Sequence, residues 1–182
     1  MRKAEMLSEL ERARNLIREI PDYPIAGIRF QDLSPLLADA NSLAAVVSAL
    51  AAFSSDCDLI VGIEARGFIF AAALAHFSNR GFVPIRKAGK LPYLTYSQSY
   101  GLEYGEDTLE IHKDAIGSGV RALIIDDVLA TGGTAVAALK LIERSGGIVS
   151  GIATVLELPA LGGRLRIANQ DPKIPVHSLF HV

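Results

Sequence analysis

Two stretches of this chain of 182 residues follow one pattern, in which a short run of consecutive apolar residues leads through a turn into an apolar helical stretch. The first stretch reads LIVGI, EARG and FIFAAALAHF from Leu59 to Phe77, with FVPI next after Asn79-Arg80-Gly81. The second reads RALII, DDVLATGG and TAVAALKLIER from Arg121 to Arg144, with IVSGIATVLEL beyond Gly146-Gly147. Apolar runs without polar alternation are strands buried on both faces, and a strand, a helix and a second strand in succession form a βαβ unit. Two such units predict an α/β fold with a twisted, mainly parallel sheet and helices on both of its faces. DDVLATGG reads as the loop between its strand and its helix.

The remaining segments frame that sheet. Met6, Leu7, Leu10, Ala13, Leu16, Ile17 and Ile20 recur at helical spacing, so an amphipathic N-terminal helix is expected to run to Pro21. PDYPIAGIRFQDLSP, bracketed by prolines, reads as a shaped loop, and a second helix is expected from about Ser42 to Phe53. RKAGKLPYLTYSQSYGLEYGEDTLEIHK separates the two units and reads as a long loop running into a hairpin; an excursion of that length is usually a lid or a binding loop. No linker marks a second domain.

Composition excludes several classes. Half of the residues are hydrophobic and the formal net charge is −2, which argues against disorder and against a bulk nucleic-acid binder. Cys57 is the only cysteine, so no disulfide framework or multi-cysteine zinc site can form within the chain. The longest near-continuous apolar stretch, Phe68 to Ala75, is too short to span a membrane, and the charged N-terminus lacks a signal-like apolar core. A cytoplasmic protein without membrane or nucleic-acid partners is expected.

Chemistry concentrates in ALIIDDVLATGGT, from Ala122 to Thr134. Ligands of open α/β sheets bind beyond the carboxyl ends of the strands, where Asp126 and Asp127 fall. Gly132 and Gly133 let backbone N–H groups approach a phosphate, and the helix starting near Thr134 adds unpaired N–H groups and its positive dipole end. Thr131 and Thr134 add hydroxyl donors. Two acids beside an anion cradle suit a ligand that also carries hydroxyls or a divalent cation, such as a phosphorylated sugar with Mg²⁺. The alternative is acids that cap a helix and glycines that make a tight turn. Other phosphate motifs do not fit: no GKS or GKT loop occurs, and GSGVRA (117–122) precedes its strand. Arg66, just past a strand end, can grip phosphate oxygens in a fork or stand as a surface arginine. His177 and His181 lie four apart but near Pro175 and the chain end, which favours a terminal strand over a metal site, and Cys57 reads as a small buried residue.

This string resembles the phosphoribosyl-diphosphate (PRPP) signature of the type I phosphoribosyltransferases. GIEARGF, VPIRKAGKLP, LEYGEDTLEIHKDAI and DDVLATGGT, in this order, are similar to the adenine phosphoribosyltransferase family, over about Asp22 to Leu161. The resemblance implies a single domain over 1–182, with an N-terminal helix or hood and purine-site loop in 1–35 and a flexible catalytic loop or hairpin in 86–112. It implies transfer of the 5-phosphoribosyl group from PRPP to N9 of adenine, giving AMP and diphosphate, with Mg²⁺ expected to arrive bound to PRPP and no residue of the chain singled out as a metal ligand. Asp126 and Asp127 would contact the ribose hydroxyls, and Ala130, Thr131, Gly132, Gly133 and Thr134 would cradle the 5′-phosphate. Arg66, Arg86, Lys87 and Lys90 would neutralise the diphosphate.

Glu103 and Tyr104 of the LEYG loop would close the site, with Glu103 near the purine, although from residue type alone Glu103 is equally an exposed hairpin acid. Arg29 and Phe30 would hold adenine. Here the chain departs from the family pattern, with Ala26 for the usual proline, Arg29 for a common apolar residue and Gln31 for a frequent arginine. Tyr93, Tyr96 and Tyr100 fit hairpin packing or dimer contacts, and the resemblance implies a homodimer. A transferase for a 6-oxopurine or orotate and a PRPP-sensing regulator without chemistry are the alternatives; the LEYG loop and the absence of a basic face speak against the regulator.

Overall fold

The computed structural model describes residues 3–101 and 106–182. The chain divides into two compact units, Met1–Ala49 and Leu50–Val182.

The first unit contains α1 (Lys3–Asn15), β1 (Arg18–Pro21), β2 (Arg29–Asp32), α2 (Ser34–Ala38) and most of α3 (Ala40–Ala51). The expected helix to Pro21 ends at Asn15 instead, and Arg18–Pro21 pairs antiparallel with Arg29–Asp32. Pro21 disfavours the helical conformation of the residue before it, whereas a two-stranded edge tolerates a proline. The ribbon closes with Arg18, whose guanidinium donates to Asp32 at 2.5 and 3.1 Å. PDYPIAGIRFQDLSP is therefore part loop and part strand. In its turn the Gly27 N–H donates to the Asp22 carboxylate at 2.7 Å and the Tyr23–Pro24 peptide is cis. Asp32 then accepts the Ser34 N–H at the start of α2; hydrogen bonds from Ser34 and Arg18 lower its pKa to about 2.

The second unit is a seven-stranded sheet in the order β5-β6-β4-β3-β7-β8-β9. Its strands are β3 (Leu59–Ile63), β4 (Gly81–Lys87), β5 (Thr95–Gly101), β6 (Glu106–His112), β7 (Arg121–Leu129), β8 (Ile148–Glu157) and β9 (Val176–His181). The β4-β3-β7-β8-β9 part is parallel, and the β5–β6 hairpin adds antiparallel to β4. Helix α4 (Gly67–Phe77) follows β3, α5 (Gly133–Arg144) follows β7, and α6 (Gly163–Gln170) follows β8.

The LIVGI strand is apolar throughout because both of its faces are covered. Val61 and Ile63 belong to the core that also holds Ala135, Leu139 and Ile142 of α5. Gly62 points the other way, where a Cβ would stand 2.7 Å from the Ala71 Cβ of α4. The crossover from β3 leads to β4 on one side and that from β7 leads to β8 on the other, so right-handed connections put α4 and α5 on opposite faces. Strand order therefore reverses between β3 and β7, where open α/β sheets bind ligands.

Strand β7 is longer than expected. DDVLATGG reads as a loop, yet Asp126 to Leu129 continue the ladder, Asp126 opposite Thr154 and Leu129 opposite Glu157. The ten-residue strand β8 supplies these partners, and only Ala130–Gly132 remain as loop before α5.

Because Gly62 lies under α4, Gly62→Val should crowd Ala71 and Phe82 and cost about 2 kcal/mol, a fall in Tm of roughly 4–8 °C in thermal melting.

Candidate functional site

The β7–α5 loop is shaped by glycines that interlock with a second loop. Gly132 has φ +76°, open to glycine without strain, and a Cβ there would stand 2.7 Å from the Gly163 carbonyl oxygen. Gly163 is as constrained, since its own Cβ would strike the Ala130 carbonyl oxygen. The start of α6 thus backs the Ala130–Gly132 loop. Helix α6 is in turn riveted: Arg164 donates to the buried carboxylate of Glu157 at 3.0 and 2.5 Å and to the Val176 carbonyl at 2.6 Å. Among the described residues no side-chain hydrogen bond caps α5 at Gly132, so the first N–H groups of this twelve-residue helix can be offered to a ligand at its positive end.

The acids stand just before this loop. Asp126 Oδ1 accepts the Asp127 N–H at 2.9 Å and lies so close to Gly67 that a Cβ there would be 2.8 Å from it. Part of the Asp126 surface is open, but protein atoms crowd its carboxyl. Burial first, and the Asp127 charge second, push its pKa well above the ordinary 3.8, against the pull of Arg66. Asp127 is buried, and its Oδ2 forms an ion pair at 2.7 Å with Nη2 of Arg66, the residue that precedes α4.

Arg86 and Lys87 are also held by acids. Arg86 on β4 forks onto Glu64 at 3.1 and 3.2 Å and donates to the Lys90 carbonyl, while Glu64 also accepts the Lys87 N–H at 2.9 Å. Burial raises the Glu64 carboxyl, but the bonds from Arg86 and Lys87 hold it below its ordinary value. Lys87 Nζ lies 3.0 Å from Asp107, which also accepts the Tyr100 hydroxyl at 3.3 Å. The Lys87 bond depresses the Asp107 pKa and raises that of Lys87. Burial raises the Tyr100 phenol, opposed by a side-chain hydrogen bond with Thr134. A polar chain thus runs from Lys87 through Asp107 and Tyr100 to the first turn of α5.

Asp126, Asp127, Ala130 to Thr134, Arg66, Arg86, Lys87 and Lys90 all lie in the second unit, and Arg29 and Phe30 lie on β2 of the first. Arg29 reaches Glu19 at 3.2 Å, and Phe30 meets the Tyr23 ring edge-on at a centroid distance of 5.2 Å. Glu103 and Tyr104 lie outside the described residues. Tyr96 lies under the Arg144 guanidinium at 4.7 Å. His177 stacks on Phe53 and His181 lies 3.5 Å from Glu157, both on the terminal strand β9. The acids Glu64 and Asp107 were missed at the level of sequence, although both stand inside quoted motifs; cations gathered at an anion site need acid partners while the ligand is away.

A mainly parallel sheet that brings two acids and an uncapped glycine-rich helix start to its strand-order reversal suits a phosphorylated, hydroxyl-bearing ligand. Residues 30–169 match the family model of the phosphoribosyl transferase domain. The chain is 51% identical over 174 residues to the adenine phosphoribosyltransferase of Salinispora arenicola, covering 94% of this chain and 90% of that protein. The crystal structure of adenine phosphoribosyltransferase from Thermoanaerobacter pseudethanolicus superposes with a TM-score of 0.90 at 48% identity, covering 95% of this chain and 99% of that one. The Saccharomyces cerevisiae enzyme, solved with an imino-altritol bisphosphate and adenine, gives a TM-score of 0.87 at 36% identity over 95% and 99% of the two chains. The chain belongs to the adenine phosphoribosyltransferase family.

Two outcomes follow from this geometry. Because its pKa is raised, Asp126 favours folding fully only below its ordinary 3.8, and that contribution is lost as pH rises through the raised value. Asp126→Asn, uncharged throughout, should therefore melt above the wild type at about pH 8 and approach it toward about pH 4; an equal or lower Tm at the higher pH contradicts this. Gly163→Ala should displace the Ala130 carbonyl and raise KM for a phosphorylated substrate at least roughly tenfold, measured by steady-state kinetics.

Proposed function

We propose that the chain transfers the 5-phosphoribosyl group of PRPP to N9 of adenine, releasing diphosphate and AMP. The observation that carries this reading is the Asp126–Asp127 pair set between Arg66 and the uncapped start of α5. The N–H groups and hydroxyls of Ala130 to Thr134 bind the 5′-phosphate, and Asp126 and Asp127 accept hydrogen bonds from the ribose hydroxyls. Arg66, Arg86, Lys87 and Lys90 hold the diphosphate. Arg29 and Phe30 hold adenine, the base with which the Saccharomyces cerevisiae relative was solved.

The C1–oxygen bond to diphosphate breaks with its electron pair leaving on the diphosphate, and the N9 lone pair forms the new bond to C1. Positive charge builds on the ribose between these events, so the two acids serve as electrostatic stabilisers as well as hydroxyl acceptors. Glu103 takes the proton lost by adenine, and Tyr104 with its loop excludes water. In the resting protein Glu64 and Asp107 keep Arg86 and Lys87 oriented, and the arriving diphosphate competes for those cations.

Mg²⁺ would enter this site as a passenger of the substrate, since the adjacent acids Asp126 and Asp127 beside a diol tolerate a divalent cation. Bound to PRPP, it neutralises charge on the leaving diphosphate. Residues 1–182 act as one catalytic domain, with 1–35 contributing to adenine binding and 86–112 to the catalytic loop. A homodimer in the cytoplasm is the proposed working form; among the described residues no helix is long and apolar enough to cross a membrane.

The test is diphosphate release from PRPP and Mg²⁺ with adenine, hypoxanthine, guanine, orotate or no base, with the nucleotide identified. AMP from adenine alone is expected, and Asp127→Ala should lower kcat/KM for PRPP by roughly a hundredfold through loss of paired hydrogen bonds and of the Arg66 anchor. Faster use of another base would overturn the purine assignment, and unchanged turnover in Asp127→Ala would overturn the ribose assignment.

A further inference from the structure

We infer that Arg166 is a ligand of the substrate's 5′-phosphate, an inference that rests on the assignment of residues 130–134 to that group. Arg166 stands on α6, the helix whose first turn interlocks with the cradle loop. Its Nη1 lies 3.2 Å from the point that a Cβ on Gly133, the first residue of α5, would occupy, a point that the Gly101 carbonyl oxygen and the Tyr100 ring also approach, at 3.2 and 3.3 Å. No side chain at 133 intervenes, so the guanidinium shares the space beside the helix start whose N–H groups the phosphate uses.

The placement is built. The Arg166 N–H donates to the Gly162 carbonyl at 3.1 Å, Gly163 abuts Ala130 and Gly132, and Arg164 ties the same helix to the buried Glu157. The backbone that carries Arg166 is thus keyed to the loop that carries the phosphate. Arg66, Arg86 and Lys87 are each paired with an acid in the resting protein. Arg166, by contrast, is exposed and makes no ion pair among the described residues.

Electrostatics gives this arginine its use. A phosphate dianion seated after β7 meets the charges of Asp126 and Asp127 from the same strand end. The helix dipole supplies only about half a positive charge. A guanidinium adds a full charge with forked donors matched to phosphate oxygens, and its exposed outer side stays solvated, so no burial cost opposes it.

The test measures ribose 5-phosphate and diphosphate separately by calorimetry on the wild type, Arg166→Gln and Arg166→Lys. Arg166→Gln should bind ribose 5-phosphate roughly tenfold more weakly and raise KM for PRPP more than it lowers kcat, with diphosphate affinity unchanged. Arg166→Lys should recover part of the loss. Salt should weaken ribose 5-phosphate binding more steeply in the wild type than in Arg166→Gln. Arg166 is exposed, so unchanged melting is expected and confirms that the variants fold. Ribose 5-phosphate affinity that survives Arg166→Gln, or an equal loss for both ligands, overturns the inference. A wild type that binds diphosphate but not ribose 5-phosphate overturns the assignment of the loop itself.

Discussion

Backbone N–H groups can meet a ligand only if the chain carrying them comes close, and in this protein the course of the β7–α5 loop depends on the contact between Gly132 and Gly163. Each glycine sits where a Cβ would meet the backbone of the other loop. The left-handed Gly132 turns the chain from the end of β7 into α5, and α6, pinned through Arg164 to Glu157, backs that turn. Two segments 31 residues apart in sequence, at Gly132 and Gly163, thereby pack as one surface. Preorganisation of this kind spares a site the cost of ordering itself when ligand arrives.

Around that surface the protein stores its charges as pairs. Arg66 with Asp127, Arg86 with Glu64, and Lys87 with Asp107 each set a cation beside an acid that neutralises it. The raised pKa of Asp126 is the counterpart: the fold tolerates an unfavourable carboxyl at the reversal of strand order, a perturbation typical of functional positions. Stability and chemistry oppose each other at one residue. The polar chain through Asp107 and Tyr100 further joins strands β5 and β6 to Thr134 in the first turn of α5.

Much of this was legible in the sequence. The runs LIVGI and RALII with their following helices gave the parallel sheet, since strands buried on both faces need no alternation, and the acids and glycines of DDVLATGGT marked the ligand end. The strand at Arg18–Pro21 was hidden because Leu16, Ile17 and Ile20 fit a helical stripe, and only the partner strand at Arg29–Asp32 decides otherwise. The continuation of β7 to Leu129 was hidden for a like reason, its pairing partners standing on β8. Glu64, Asp107 and Arg166 were silent because their roles rest on contacts between elements far apart in sequence.

A crystal structure with AMP and diphosphate bound is the most direct measurement of how this site works. It should place the nucleotide phosphate on the N–H groups of residues 131–134, the ribose hydroxyls on Asp126 and Asp127, and the diphosphate on Arg66 and Lys87. A nucleotide phosphate bound away from the β7–α5 loop, or ribose hydroxyls out of reach of both aspartates, would contradict it.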